Sequence, residues 1–191
     1  MQDTYIEDKT FDKIDFTQTA LSKGAYENCV FNNCNFAGSN VSEIQFIDCT
    51  FNSCNLSLMK LNKTVLRDTT FKDCKMLGLR FDDCSDFGLS FSFDACQLNH
   101  SSFYKTKIKN THFKNCDVQE VDFTGTDLTV AIFDNCNLAK AMFDNTIIEK
   151  ADFRTAYNYS IDPEANRLKK AKFSMEGLAG LLNKYDIEIE K

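Results

Sequence analysis

The 191-residue sequence contains no tryptophan, a single proline and only seven glycines. A chain this poor in glycine and proline is not a loop-rich enzyme built on glycine turns. It carries no phosphate-cradling loop, no nucleophile elbow and no HExxH helix, so no catalytic activity is expected. Histidine is scarce as well: His100 and His112 are the only two, and neither joins a C-x(2 to 4)-C pair of the kind a zinc site needs, so no metal or cofactor is expected. The N-terminus, MQDTYIEDKTFDKIDF, lacks a basic start and an apolar stretch, which argues against a secretory signal or a membrane-spanning helix and for a cytoplasmic location. An excess of positive charge is also missing. The formal net charge is −6, whereas a sequence-independent grip on duplex DNA or an anionic membrane needs clustered Lys and Arg. A basic protein partner suits the chain better.

Phenylalanine is abundant, with eighteen residues, and it is placed on a beat. From Phe11, steps of five land on Phe16, Leu21, Tyr26, Phe31 and Phe36, and continue to Phe81 without meeting a polar residue. The beat fails at Asp86, slips by two, and resumes from Phe93 through Leu98, Phe103, Ile108 and Phe113 to Phe153. Two residues ahead of the beat nearly every residue is small and able to be buried. All nine cysteines occupy that position, where chance would place about one in five.

A period of five fits neither the 3.6 of a helix nor the 2 of a long strand. It fits a short extended trio followed by a two-residue corner. In an extended trio the first and third side chains share one side, which explains a small apolar residue, a polar residue and a large apolar residue in succession. The corner pairs are turn formers, as in Asn32-Asn33, Asn52-Ser53 and Asp134-Asn135. Such a unit cannot bury its apolar side alone and must stack on copies of itself.

Stretches such as Cys34-Asn35-Phe36-Ala37-Gly38, Val121-Asp122-Phe123-Thr124-Gly125 and Ala151-Asp152-Phe153-Arg154-Thr155 resemble the pattern A-(D/N)-L/F-x-x of the pentapeptide-repeat proteins. The resemblance implies an all-β solenoid, a right-handed quadrilateral β-helix with four repeats to a coil, over residues 1–156. Residues twenty apart then lie above one another. Phe11, Phe31, Phe51 and Phe71 are expected in one column, and Phe93, Phe113, Phe133 and Phe153 in another.

Two segments leave the beat. The slip near residues 82–93, DDCSDFGLSFSF, is either a tolerated surface insertion or a protrusion that touches a partner, and Asp86 and Phe87 are its candidate contacts. Residues 157–191 form a tail. Ser174 is a plausible N-cap for a short helix over about 174–185, with Met175, Leu178, Leu182 and Tyr185 on one face and Leu181 beside it. Gly177 and Gly180 would weaken that helix, and Ile187 and Ile189 alternate with acids as in a strand. The tail is either a lid over the open solenoid end or more. Asp162-Pro163, the basic run to Lys172 and the leucine-rich segment are similar to the tails of Qnr-type quinolone-resistance proteins and the microcin B immunity protein. That resemblance implies a homodimer through Leu178, Leu181, Leu182, Tyr185 and Ile187.

The cysteines read as buried small hydrophobes, because Cys29 and Cys34 belong to successive trios that face inward from different sides. For function, the resemblance implies a non-enzymatic acidic rod that mimics DNA. It would bind a type II topoisomerase, DNA gyrase or topoisomerase IV, and protect it from quinolones or toxins. The alternative is a structural scaffold with another partner. All the charge excess lies on the rod: residues 1–156 carry 22 acids and 16 bases, and the tail carries 6 of each. Duplex DNA of similar length carries about 20 charges, so the mimicry would have to rest on particular faces. Asp48 and Asp68, twenty apart, are candidate contacts on one such face.

Overall fold

The computed structural model describes residues 4–190. It is a right-handed quadrilateral β-helix of about seven turns. The strands are short: β1 (Thr4–Glu7), β2 (Thr10–Asp12), β3 (Gly24–Glu27), β4 (Val30–Asn32), β5 (Gln45–Ile47), β6 (Thr50–Asn52), β7 (Val65–Arg67), β8 (Thr69–Lys72), β9 (Phe91–Asp94), β10 (His112–Lys114) and β11 (Ile132–Asp134). They pair only in parallel, in two sheets ordered β1-β3-β5-β7 and β2-β4-β6-β8-β9-β10-β11. The remaining repeats are joined by isolated parallel bridges such as Asn35↔Asn55 and Asp122↔Met142.

Each repeat turns one corner, and the residue two places after the beat adopts a left-handed conformation, as in Asn28 (φ 49), Asn33 (φ 53), Asp48 (φ 51) and Asp68 (φ 49). Asparagine and aspartate tolerate that region best among residues with a Cβ, which accounts for the polar corners of the sequence. Four faces result. The first is centred on Phe11, the second on Phe16, the third on Leu21 and the fourth on Tyr26.

The two expected phenylalanine columns are one. Phe11, Phe31, Phe51, Phe71, Phe93, Phe113, Phe133, Phe153 and Phe173 stack in a single file along the first face, with centroid spacings from 4.6 to 5.4 Å. The slip does not break it, because β8 pairs β9 in register through Phe71↔Phe93. The two extra residues are absorbed between Cys84 and Phe91, on the fourth face. There they end the smaller sheet at β7.

The coil also runs further than residue 156. Bridges join Asn137 to Tyr157, Ile147 to Arg167 and Asp152 to Lys172. Asn166 fills the small inward slot above Thr146. It accepts the Thr146 N–H at 2.8 Å and donates to the Phe143 carbonyl at 3.0 Å. A polar residue in that slot, followed by Leu168 and Phe173 on the beat, is a repeat whose signature is blurred by Asn158 and Pro163.

The expected helix over about 174–185 is not a helix of that length. The tail makes two 3-10 turns, Leu178–Leu181 and Asn183–Tyr185. The glycines explain why. A Cβ on Gly177 would stand 2.0 Å from the Tyr159 hydroxyl, and one on Gly180 would stand 2.3 Å from the Tyr159 carbonyl oxygen. They give the tail clearance to lie on the buried Tyr159, which packs beside Phe153 and Phe173. Ser174 still caps locally, accepting the Gly177 N–H at 3.2 Å. Ile187 and Ile189 lie outside any strand. Among the described residues no helix is long and apolar enough to cross a membrane.

Candidate functional site

Side chains before and after each beat point outward, so the outer surface of the rod is read off column by column. The fourth face has the most uneven charge. Its corner column runs Asp8, Asn28, Asp48, Asp68, then Ser90 at the end of the loop, and Asn110, Val130, Lys150 and Lys170 beyond it. Beside that corner stand Glu7, Glu27 and Arg67 below the loop, and Lys109, Thr129, Glu149 and Lys169 above it. Lys107 and Arg167 lie on the far side of the same face.

The lower half of the fourth face therefore carries Glu7, Asp8, Glu27, Asp48, Asp68 and, at the loop, Asp86, against Arg67 and an edge lysine, Lys9. The upper half carries Lys107, Lys109, Lys150, Arg167, Lys169 and Lys170, against Asp127 and Glu149. Those two acids are already engaged: Lys109 reaches Asp127 at 3.2 Å and Arg167 reaches Glu149 at 2.7 Å. Among the described residues Lys107, Lys150, Lys169 and Lys170 have no ion-pair partner, and neither do Glu7, Asp48, Asp68 and Asp86.

Asp48 and Asp68, singled out in the sequence, are adjacent levels of this column: the Asp48 N–H donates to the Arg67 carbonyl at 2.9 Å. The structure brings Asp86 and Phe87 to the same face, one level on. The loop is pinned at both ends, since Ser85 N–H bonds the Thr64 carbonyl and Ser90 N–H bonds the Leu66 carbonyl. Ser90 Oγ also donates to Asp68 Oδ1 at 3.0 Å and accepts the Asp68 N–H at 2.8 Å. Between the pins Leu89 turns in against the core while Phe87 stands 80% exposed. Sequence reasoning missed the other charged members of the face. Stepping by twenty from Asp48 finds Asp8 and Asp68, and adding the two extra residues finds Lys150 and Lys170.

A family model described as "Pentapeptide repeat region" matches residues 25–91 and 89–157. The chain belongs to the pentapeptide repeat family. A solved structure of full-length QnrB1, a plasmid-mediated fluoroquinolone resistance protein, shares 14% identity with this pentapeptide-repeat chain. The match covers 96% of this chain and 100% of that one, with a TM-score of 0.63. HetL, a pentapeptide repeat protein involved in heterocyst differentiation regulation in the cyanobacterium Nostoc, matches at 11% identity over 89% of this chain and 85% of its own, with a TM-score of 0.52. At these identities the likeness is one of fold. A comparison with curated protein sequences finds no match.

The small slot of each repeat faces the interior. All nine cysteines are free thiols and buried. Cys34, Cys54, Cys74, Cys96, Cys116 and Cys136 make one ladder through the same register as the phenylalanine column. Their Sγ atoms are occupied by carbonyls, as in Cys54 Sγ to the Phe31 oxygen at 3.3 Å. Burial pushes the Cys49 thiol up to about 12 and raises Cys34 and Cys84. Those three are therefore held as protonated thiols.

The tail lies across the C-terminal end of the pentapeptide-repeat rod. Lys184 Nζ contacts Asp162 Oδ1 at 2.7 Å and Glu164 Oε2 at 2.6 Å, and the Tyr185 hydroxyl donates to Glu164 Oε1 at 2.9 Å. These contacts hold both carboxyls below their ordinary range. Of the apolar residues proposed from sequence, Leu181 packs against the core. Leu178, Leu182, Tyr185 and Ile187 stay exposed, together with Met175.

Proposed function

We propose that this pentapeptide-repeat protein acts without catalysis, as a cytoplasmic rod that docks on a basic protein surface, and that its partner is a type II DNA topoisomerase such as DNA gyrase. The observation that carries the reading is the acidic half of the fourth face. Glu7, Asp8, Glu27, Asp48, Asp68 and Asp86 stand on one side of a straight rod, and Phe87 projects beside them. A line of carboxylates spaced by the coil is a repeating anionic edge, the feature by which a protein groove made for duplex DNA would accept a protein in its place. The fold likeness to a fluoroquinolone resistance protein points to the same partner. In this reading the rod is a DNA mimic over half its length, and the exposed Leu178, Leu182, Tyr185 and Ile187 pair two copies through the tail.

The test is a gyrase supercoiling assay titrated with the purified protein, with and without a fluoroquinolone. The expected result is inhibition by the protein alone, or rescue from the drug, at micromolar concentration, lost on Asp48→Lys with Asp68→Lys. Neither inhibition nor rescue would remove topoisomerase as the partner. One observation favours a second reading: the upper half of the same face is basic, which suits a scaffold that engages a partner with both charges.

A further inference from the structure

We infer that the fourth face is a self-complementary surface on which a second copy of this chain lies antiparallel. Charge along the face is ordered. Below the loop it is acidic and above it basic, and most of these groups lack an intramolecular partner. A partner of one charge would satisfy half the face and be repelled by the other half. A parallel copy would set acids on acids and bases on bases. Only an antiparallel copy sets the acidic half of one chain against the basic half of the other, and a two-fold arrangement requires no second protein.

The face rises one level every twenty residues, with two extra residues at the loop. A two-fold axis crossing the face between the loop and the level of Lys107 sets Asp86 of one copy opposite Lys107 of the other, Asp48 opposite Lys150, and Glu27 opposite Lys169. Arg67, the base in the acidic half, then meets Thr129 and not another cation. Phe87 falls next to the axis, the place where an exposed aromatic contributes most to an interface. A strip one face wide is at the small end of stable interfaces, about 1,000 Å². Charge therefore governs this pairing, and salt weakens it. It is a different surface from the tail. It would cover the acids proposed above for topoisomerase docking, so the two associations exclude each other.

The test is sedimentation on a Leu182→Asp background, so that the tail contributes nothing. At about 20 mM salt the protein is expected to be dimeric, and at about 500 mM monomeric. Asp48→Lys with Asp68→Lys reverses the charge at the Asp48–Lys150 contact from the acidic side, and Lys150→Glu with Lys170→Glu reverses it from the basic side. Lysine is already accommodated at the left-handed corner in Lys63, Lys105 and Lys140, so the backbone accepts these changes. Each variant alone is expected to be monomeric at low salt, with circular dichroism unchanged, and an equimolar mixture of the two is expected to give a heterodimer. That mixing result follows from antiparallel self-pairing and from no single-charge partner. A background protein that stays monomeric at low salt, or variants that do not recombine, would overturn the inference. The measurement contains no topoisomerase, so its failure leaves the docking reading standing.

Discussion

Phe71 and Phe93 stack at 5.4 Å with their rings 13° apart, although two more residues separate them than separate Phe51 from Phe71. The core is thus indifferent to the insertion, which is spent entirely on the outside of one face. The rod tolerates it because register is enforced by β8 pairing with β9, not by the length of the connection.

It follows that removing Phe87 and Gly88 restores a twenty-residue coil without disturbing the stack. The melting temperature of the deletion is expected within about 4 °C of wild type. Phe71→Ala, which leaves a hole in the middle of the column, is expected to cost about 3–5 kcal/mol. A deletion as damaging as Phe71→Ala would show that the loop supports the core after all. Thermal and urea denaturation of the two variants decide it.

This contrast explains what the sequence discloses. The beat from Phe11 to Phe153 is legible because every inward position obeys one size rule, and the slip is legible as a break in it. What the slip does is not legible, since the sequence cannot say which of four faces takes the extra residues. The last coil is hidden for a related reason. Asn166 and Tyr159 are buried, but they satisfy the slot by specific hydrogen bonds and packing, so they look like the end of the pattern. The charge order of the fourth face becomes visible only when the column is counted across the loop.

The tail is fixed by clearance, and that gives a sharp test. Gly180→Ala places a methyl against the Tyr159 backbone and ring, so the turn must lift. The Ile161 N–H, which donates to the Gly180 carbonyl at 2.9 Å, is expected to lose hydrogen-exchange protection. Amides in β6 are expected to be unaffected, because in a solenoid each level rests mainly on its neighbours. Unchanged protection of Ile161 would mean the contact is not a constraint.

The tail anchor has a pH window. Asp162 and Glu164 are lowered chiefly by the Lys184 hydrogen bond, so their contribution is complete above the unfolded carboxylate values near 4 and is lost as pH falls through the lower folded ones. Lys184 is raised by the same pair, so its contribution is complete below about 10.5 and fades as pH rises through the folded value. Protease nicking in the tail is expected to be slow between those limits and to accelerate below about pH 4. Lys184→Met should abolish the acid step. An acid step that survives Lys184→Met would place its origin elsewhere.

The buried thiols should be silent. With Cys49 pushed up to about 12 and every cysteine out of solvent, a thiol reagent at pH 8 is expected to react only through opening of the rod. The reaction rate should then follow added urea in step with unfolding. Prompt modification of any thiol in native buffer would contradict the ladder as described.

Val130 offers the last test, because it breaks a rule that its neighbours keep. It sits at φ 63 in the corner column between Asn110 and Lys150, and it is the one β-branched residue among the left-handed positions of the described chain. Two heavy atoms on Cβ make that conformation costly, about 1–3 kcal/mol. Its backbone N–H still bonds the Glu149 carbonyl at 2.9 Å, so the fold holds it there against its preference. Val130→Asn keeps the bond and removes the strain, and is expected to raise stability by about 1 kcal/mol, read as a higher urea midpoint with an unchanged slope. A strained valine kept at an exposed corner calls for a reason beyond folding. In antiparallel pairing Val130 lies over Asp68 of the other copy, where an apolar cover shields the flanking ion pairs from water. The same substitution should therefore strengthen the monomer and weaken the low-salt dimer. A variant that strengthens both would strip Val130 of that role, and one that is less stable than wild type would show that the corner is not strained.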